Sequence, residues 1–435
     1  YYMNGTYTFN DKYMASFSAR RDESNIFGVS SNQKGVPLWS TGLTWVVNRE
    51  GFYQWSWIPK LKLRATYGYT GNVNNNLSAY LTTQSIGSRN SYNTSYASIV
   101  NPPNPSLRWE KIRNINLGLD FSVKNNGLTG SIDVWQKKGL DLIGNSPIAP
   151  QTGMVLYTGN SANTLTKGID VQLNSVNLNG DFKWYTTLLY NYSNSKVTDY
   201  KVSNGTNLNV VSANYRNPLE GYPYYSIFSF KYAGLDFQGN PQGYLDGNLS
   251  TDYGGIVNSI NRDELVYNGS ATPTSFGSLR NSFSYKNFDF SFILNYKLGY
   301  YFRRVSLKNA SLYSIFNGGG GFESNTDYNN RWQKSGDELI TNVPALIYPY
   351  NRSRDDLYTY SSALVEKADN IRLQDIRLGY TFKKCPSLPF QEMNAFVYLN
   401  NLGIIWRANK YGLDPDYPAG IPLVRTFTFG LSFTF

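Results

Sequence analysis

Apolar and polar residues alternate along most of this chain, and the final segment does so most plainly. Phe427, Phe429, Leu431, Phe433 and Phe435 fall on one face of an extended strand, and Thr426, Thr428, Gly430, Ser432 and Thr434 fall on the other. The same period recurs upstream. Leu61, Leu63, Ala65, Tyr67 and Tyr69 alternate with Lys62, Arg64, Thr66 and Gly68. Ile115, Leu117, Leu119, Phe121 and Val123 alternate with Asn114, Asn116, Gly118, Asp120 and Ser122. Runs of about 9 to 12 residues with this period suit tilted strands that cross a bilayer. Near Gln374 the phase slips: Ile371 and Leu373 are followed by Ile376, Leu378, Tyr380 and Phe382, which predicts a β-bulge.

Thirteen strands are predicted, over 1–9, 12–22, 37–49, 60–70, 107–123, 128–140, 166–178, 181–197, 274–286, 287–301, 366–383, 393–402 and 424–435. The connections alternate in length. Short turns fall near Asn10-Asp11, Lys124 to Gly127, Leu178 to Asp181 and Lys286-Asn287, and long loops near 22–36, 71–105, 141–164, 198–272, 302–365 and 403–422. Outer-membrane barrels pair short periplasmic turns with long extracellular loops. The pattern therefore predicts an all-β transmembrane antiparallel β-barrel, with residues 1–435 forming part of one barrel domain. The stretch 224–235 is strand-like but would break the alternation, so it is assigned to a long outer loop. First and last strands both run inward, so the C-terminus is expected in the periplasm. An odd antiparallel set does not close on itself, and further strands are expected upstream.

Composition supports a membrane wall. Aromatics reach 16% while mean hydropathy is −0.43, a combination expected of a lipid-facing band around a polar lumen. No apolar run approaches the roughly 18 to 20 residues of a membrane-spanning helix. The net charge of +10 is dispersed, with no basic run or nucleic-acid motif, so a nucleic-acid partner is not expected. The chain has no histidine, which removes Ser-His-Asp, Cys-His and His-ligated zinc chemistry. Adjacent acids such as Asp263-Glu264, Asp337-Glu338 and Asp355-Asp356 point apart on a strand or sit in solvated loops, so no glycosidase pair is expected. Gly318 to Gly321 lacks the ending of a phosphate loop, and the lone Cys385 forms no internal disulfide. No catalytic residue and no cofactor are expected.

Several stretches carry a family resemblance by their order and spacing. They are Tyr7-Thr8-Phe9-Asn10-Asp11-Lys12-Tyr13, Ser18-Ala19-Arg20-Arg21-Asp22, Leu61 to Gly68 before Thr70-Gly71-Asn72, Leu107-Arg108-Trp109-Glu110-Lys111, and Thr166-Lys167-Gly168-Ile169-Asp170. Near the end come Ala368-Asp369-Asn370-Ile371-Arg372-Leu373, Tyr411-Gly412-Leu413-Asp414-Pro415-Asp416 and Arg425 to Leu431. Together they resemble the C-terminal barrel portion of the SusC/RagA family of TonB-linked outer-membrane transporters. The resemblance implies a plugged barrel of about 22 strands, of which these would be the last 13, with the plug and first strands lying outside this chain. It further implies a SusD-like surface lipoprotein as partner, a TonB complex acting through the N-terminal plug region, outer-membrane lipid around the wall, and a glycan or peptide substrate. Family members often carry an acidic, calcium-loop-like stretch corresponding to Asp236–Asp252. Here Asn248-Leu249-Ser250-Thr251 replaces its acidic core, so no metal is expected.

The expected function is TonB-dependent import of an oligosaccharide or peptide across the outer membrane. The alternative is a surface-exposed binding or adhesion β-protein without transport; a passive porin or an outer-membrane enzyme is a third reading, the lack of histidine counting against most such enzymes. Tyr215, Tyr222, Tyr224, Tyr225 and Phe228, stiffened by Pro218 and Pro223, are candidate substrate or partner contacts, since Tyr combines a flat apolar face with a polar tip. Their plainer reading is an interfacial belt or packing within the loop. Phe433 and Phe435 resemble the aromatic end by which such barrels are recognised for insertion.

Overall fold

A computed structural model describes residues 1–23, 35–72, 78–149, 151, 154, 156–212, 217–310, 326–383, 391–418 and 420–434. Thirteen long strands form its frame. They are β1 (Tyr2–Phe9), β2 (Tyr13–Glu23), β3 (Gly35–Val46), β4 (Lys60–Asn72), β5 (Glu110–Ser122), β6 (Leu128–Pro147), β7 (Leu156–Asn179), β8 (Phe182–Tyr200), β9 (Ser275–Tyr285), β10 (Phe288–Leu298), β11 (Asn370–Lys383), β12 (Glu392–Arg407) and β13 (Thr426–Thr434). The chain divides into two compact units, one of residues 1–202 with 220–222 and one of residues 203–219 with 223–435. In the first, β1 to β8 pair antiparallel, each with its successor. In the second, β9 to β13 do the same.

The short turns follow from residues that tolerate left-handed backbone. Asn10 and Asp11 close β1 onto β2 with φ of 48° and 56°, and Asn125 and Asn126 turn β5 into β6 at 60° and 53°. The predicted bulge is at Gln374, which both neighbouring ladders skip. Its amide Nε2 donates to Asn400 Oδ1 at 2.9 Å and Asn401 Oδ1 at 3.2 Å, so the residue lost to the ladder stitches the next strand instead.

Several expected boundaries differ. The region 141–164, expected as a long loop, is mostly strand, because β6 and β7 run on past a bulge where Asp141 adopts φ 56°. Asn163 Oδ1 accepts the Asp141 N–H and Asn160 Nδ2 donates to the Asp141 carbonyl, which supports the extension. Likewise β12 continues to Arg407 beyond irregular register near Asn401. At β10 and β11 the ladder instead ends early. Tyr301–Arg303 leaves it to pair with Val365–Lys367. Strand-like 224–235, assigned to a long loop, does stay outside the long ladders: its Ser226–Phe230 pairs with Leu265–Ser270 in a separate sheet.

Each unit wears its apolar side outward. Leu43, Leu63, Leu117 and Val134 are exposed, Leu117 by 60%. On the opposite face of the same strands, Arg64 forks onto Asp120 through two 2.9 Å bonds and reaches Asp133 at 3.1 Å, while Asn116 donates to Asp133 at 2.8 Å. In the second unit, Phe427, Phe429 and Leu431 are exposed, Phe429 by 78%. Across those strands Arg377 pairs with Asp289 and donates to Asn394 at 3.0 Å, and Asn394 donates to Thr381 at 2.9 Å. Charges in mutual networks opposite a continuous exposed apolar face invert the soluble pattern. Lipid is the solvent that makes such a face favourable. Among the described residues, no helix is long and apolar enough to cross a membrane.

Candidate substrate-facing loop module

In the second unit, the long segments that precede β9 and that join β10 to β11 fold into a module of their own. Its described residues include the short helices α1 (Asn207–Ser212), α2 (Tyr253–Asn258) and α3 (Arg352–Thr359). Asp252 caps α2 by accepting the Gly255 N–H at 3.0 Å, and Asn351 caps α3 by accepting the Arg354 N–H at 3.1 Å. Val210 and Val211 of α1, Phe228 and Phe230, Ile256 and Val257 of α2, Leu265, and Leu357 of α3 form one buried core. A connection this long is unusual unless it binds something, and a core lets it hold a shape.

Arginines fix the segments that the core does not. Arg354, 2% exposed, donates to the carbonyls of Gly239 at 3.1 Å and Ala345 at 2.9 Å, and to Asn240 Oδ1 at 3.3 Å. Burial pushes its pKa down from the usual guanidinium range. Gly239 has φ +76°, and a Cβ there would stand 2.5 Å from the Trp332 ring, so glycine lets the indole lie over this turn. Arg303 donates to the carbonyls of Val211 at 3.0 Å and Phe228 at 2.6 Å, with the Tyr360 ring centre 5.0 Å away. Burial lowers its pKa to about 10. Arg304 pairs with buried Asp327, which also accepts from Ser306, and lies 4.4 Å over the Tyr411 ring.

Arg304, Asp327, Arg331, Asp337 and Tyr411 line a polar cleft of about 420 Å3 together with Asn329, Asn330, Gln333 and Asn342. Its charges are already engaged. Arg331 sits 4.1 Å over Tyr328, and Asp337 accepts the N–H groups of Gln333 and Lys334 at 3.0 Å each. These two backbone bonds lower the Asp337 pKa. A wall of amides, a phenol and pre-paired charges can hold a neutral polar molecule through hydrogen bonds.

Residues 1–240 match the model of the "TonB dependent receptor-like, beta-barrel" family, more than half of the chain. This chain belongs to that family. Members are receptors of the outer membrane, and its curated relatives are transport receptors, not enzymes. TonB-dependent receptor SusC of Bacteroides thetaiotaomicron is 27% identical over 100% of this chain and 43% of its own length. TonB-dependent receptor P26 of Formosa agariphila is 26% identical over 99% of this chain and 45% of its own. The chain thus spans under half the length of these relatives. The structure of the RagAB peptide transporter shares the fold, with a TM-score of 0.76 at 21% identity over 100% of this chain and 47% of that one. These likenesses agree with the SusC/RagA resemblance.

In this TonB-dependent receptor the resembling motifs meet in space. Arg372 donates to both Asp414 oxygens at 2.8 Å and to Asp416 at 3.3 Å, and Lys297 reaches Asp416 at 2.8 Å. Asp369 Oδ1 accepts the Gly299 N–H at 2.6 Å, and Asn370 Nδ2 donates to the Tyr300 hydroxyl at 2.9 Å. In the first unit, Asn72 donates to Glu110 at 3.1 Å, and Arg108 grips Asp141 at 2.5 Å. Thr166 to Asp170 brackets an indole. Asp170 accepts the Trp135 N–H at 2.8 Å, and a Cβ on Gly168 would overlap the Trp135 ring and stand 2.6 Å from the Tyr192 carbonyl oxygen.

The aromatic candidates separate. Tyr224 and Tyr225 form an edge-to-face pair 4.9 Å apart, and Tyr225 is 53% exposed. Tyr222 is at the border of exposure, and its carbonyl accepts the Val197 N–H within the first unit. Phe228 is 4% exposed in the module core and packs on Tyr267 at 5.4 Å, so its place is support, not surface. Phe433 lies on the exposed face of β13. Tyr215, Phe435, Cys385 and Gly318 to Gly321 lie outside the described residues. Asp236 accepts the N–H groups of Gln238 and Asn240, which commits this acid to its own turn as Asp252 is committed to α2. Sequence reading missed Arg303, Arg304 and Arg354; isolated arginines in loops show no period that would single them out.

Proposed function

We propose that this chain forms the C-terminal wall and outer loops of a TonB-dependent importer of an oligosaccharide or peptide nutrient. A SusD-like lipoprotein covers the loops, and the TonB complex acts through a plug carried by sequence outside these residues. The long connections face outward and the C-terminus faces the periplasm, following the alternation of short turns and long loops. The loop module carries this reading. It is a framed polar surface, built on strands whose apolar faces need lipid, and it offers hydrogen bonds. The RagAB relation favours the two-component arrangement. Tyr224 and Tyr225 are the proposed aromatic contacts of the module, and Phe433 with Phe435 the insertion end.

Affinity capture of the tagged full-length protein from its own outer membrane, followed by nutrient uptake with and without TonB, tests the reading. Expected are a co-purifying surface lipoprotein and uptake that stops when TonB is removed. A folded, monodisperse protein in plain buffer, or uptake indifferent to TonB, would refute it.

A further inference from the structure

The outward face of β5 to β8 is apolar towards the short turns and cationic towards the long loops. Strand register sets its rows. Leu117, Val134, Ile169 and Tyr192 stand abreast on the four strands. Two residues nearer the long loops, the abreast positions are Ile115, Gln136, Lys167 and Asn194. Two further on they are Arg113, Lys138, Leu165 and Lys196. These two rows hold four cations and no acid. Lys167 and Lys196 are exposed, and Arg113 and Lys138 are half-buried.

The ion pairs of this part of the wall lie elsewhere. Arg64 joins Asp120 and Asp133 on the opposite face. At the loop margin Asp141 is taken by Arg108 at 2.5 Å, and Asp199 accepts from Asn163 at 3.3 Å. Among the described residues the four cations have no acidic partner. Long cationic side chains near a bilayer edge commonly stretch towards water. That explanation alone would place cations at both ends of the face. Turn-ward of Leu117 the face instead carries Leu119, Phe121, Ile132, Val171, Leu173 and Leu188, with no Lys or Arg.

Height and width narrow the choice of ligand. At about 3.3 Å per residue the two rows lie roughly 7 and 13 Å along β5 from Leu117. With strands tilted by about 40° this is about 5 and 10 Å of height, against about 12 Å for half the apolar band. An aromatic belt marks the same level: Tyr67 and Tyr69 continue the two rows on β4, and Trp39 packs on them at 5.5 and 5.9 Å. Across the wall, four strands about 4.8 Å apart span roughly 14 Å, wider than a single phosphate.

We propose that this patch binds a phosphate-bearing glycolipid of the outer leaflet, of the lipid A type. Its phosphates meet Arg113, Lys138, Lys167 and Lys196, and its acyl chains lie along Leu117, Val134 and Ile169. A sugar headgroup with several chains suits the width of four strands. The assignment to the outer leaflet rests on the orientation given above, with the long loops outside.

The full-length protein is purified in detergent, and native mass spectrometry measures binding of lipid A, dephosphorylated lipid A, phosphatidylglycerol and phosphatidylethanolamine. Lipid A should bind at least about tenfold tighter than the other three. A cation beside an anionic lipid contributes about fivefold, so Lys138→Gln, Lys167→Gln and Lys196→Gln should each weaken lipid A by about that factor. The triple variant should weaken it about a hundredfold, and the single variants decide if the triple variant does not fold. Lys137→Gln, whose ammonium lies 4.8 Å over the Trp135 ring on the opposite face, should bind as the unsubstituted protein does. Equal binding of dephosphorylated lipid A, or undiminished binding by the variants, overturns the proposal. Phosphatidylglycerol bound as tightly as lipid A overturns it too, since charge alone would then be recognised. TonB plays no part in this readout, so a failed importer reading and a failed lipid site give separate results.

Discussion

Replacing Leu117 with lysine asks directly whether the exposed apolar face meets lipid. Leu117 lies mid-way along β5, paired with Ala65 on β4 and Val134 on β6, and is 60% exposed. On a water-facing sheet a leucine this open contributes little, and the substitution should stay within about 0.5 kcal/mol. At the middle of a bilayer the same lysine loses its hydration and costs about 2–4 kcal/mol, falling to about 0–1 kcal/mol near the interfaces. Phe121 is on the same face four residues nearer the short turn, so Phe121→Lys should cost distinctly less than Leu117→Lys. Reversible urea unfolding of the full-length protein in phospholipid vesicles, followed by tryptophan fluorescence, gives both numbers. A cost under about 1 kcal/mol at Leu117, with no fall towards Phe121, would refute the placement of this face in lipid.

Other sites make narrower predictions. Arg354→Met leaves the buried Ala345 carbonyl without its guanidinium donor, at about 1–3 kcal/mol, while the Gly239 carbonyl keeps the Ala345 N–H. Hydrogen exchange should quicken across 234–245 and 343–346 while β9 to β13 stay protected. Gly168→Ala forces Trp135 off its seat and should cost about 1–3 kcal/mol of sheet stability, read in the same vesicle assay. In the turn after β3, hydrogen bonds from Tyr13, Trp45 and Lys12 hold Glu50 at about 2 against an ordinary 4.5. Its contribution is complete above about pH 4.5 and lost as pH falls through about 2. The Trp45 indole N–H resonance should therefore titrate near pH 2, and Glu50→Gln should abolish that titration.

Strand order was legible because side chains on a strand alternate with a period of two, whatever their chemistry. Even the Gln374 bulge registered as a change of phase. Legibility ended where backbone conformation, not hydropathy, decides the outcome. Asp141 in the left-handed region interrupts the alternation of β6, so the strand beyond it read as loop. Phe228 read as part of an aromatic loop surface with Tyr224 and Tyr225. In Ser226–Phe230 it shares a strand face with Phe230, and both turn into the core. Glu264 read as half of a solvated pair, because nothing local says that the Asp246 N–H, 18 residues away, will draw it inward.

The wall and the loop module place their charges differently, and the difference bears on binding. Wall arginines such as Arg64 and Arg377 pair with carboxylates on the wet face. In the module, Arg303 and Arg354 are instead held by main-chain carbonyls. A carboxylate pair fixes two side chains, whereas a carbonyl-bound guanidinium fixes the chain itself in segments far apart in sequence. The entropy of ordering these long connections is then met during folding, not when a ligand arrives. A ligand held by hydrogen bonds alone brings no charge to offset such a cost, so binding in the module depends on that prior order. Arg354→Met should accordingly weaken nutrient binding by the full-length protein, although Arg354 itself is buried. Affinity unchanged in a module that exchanges faster would mean that the frame serves the fold alone.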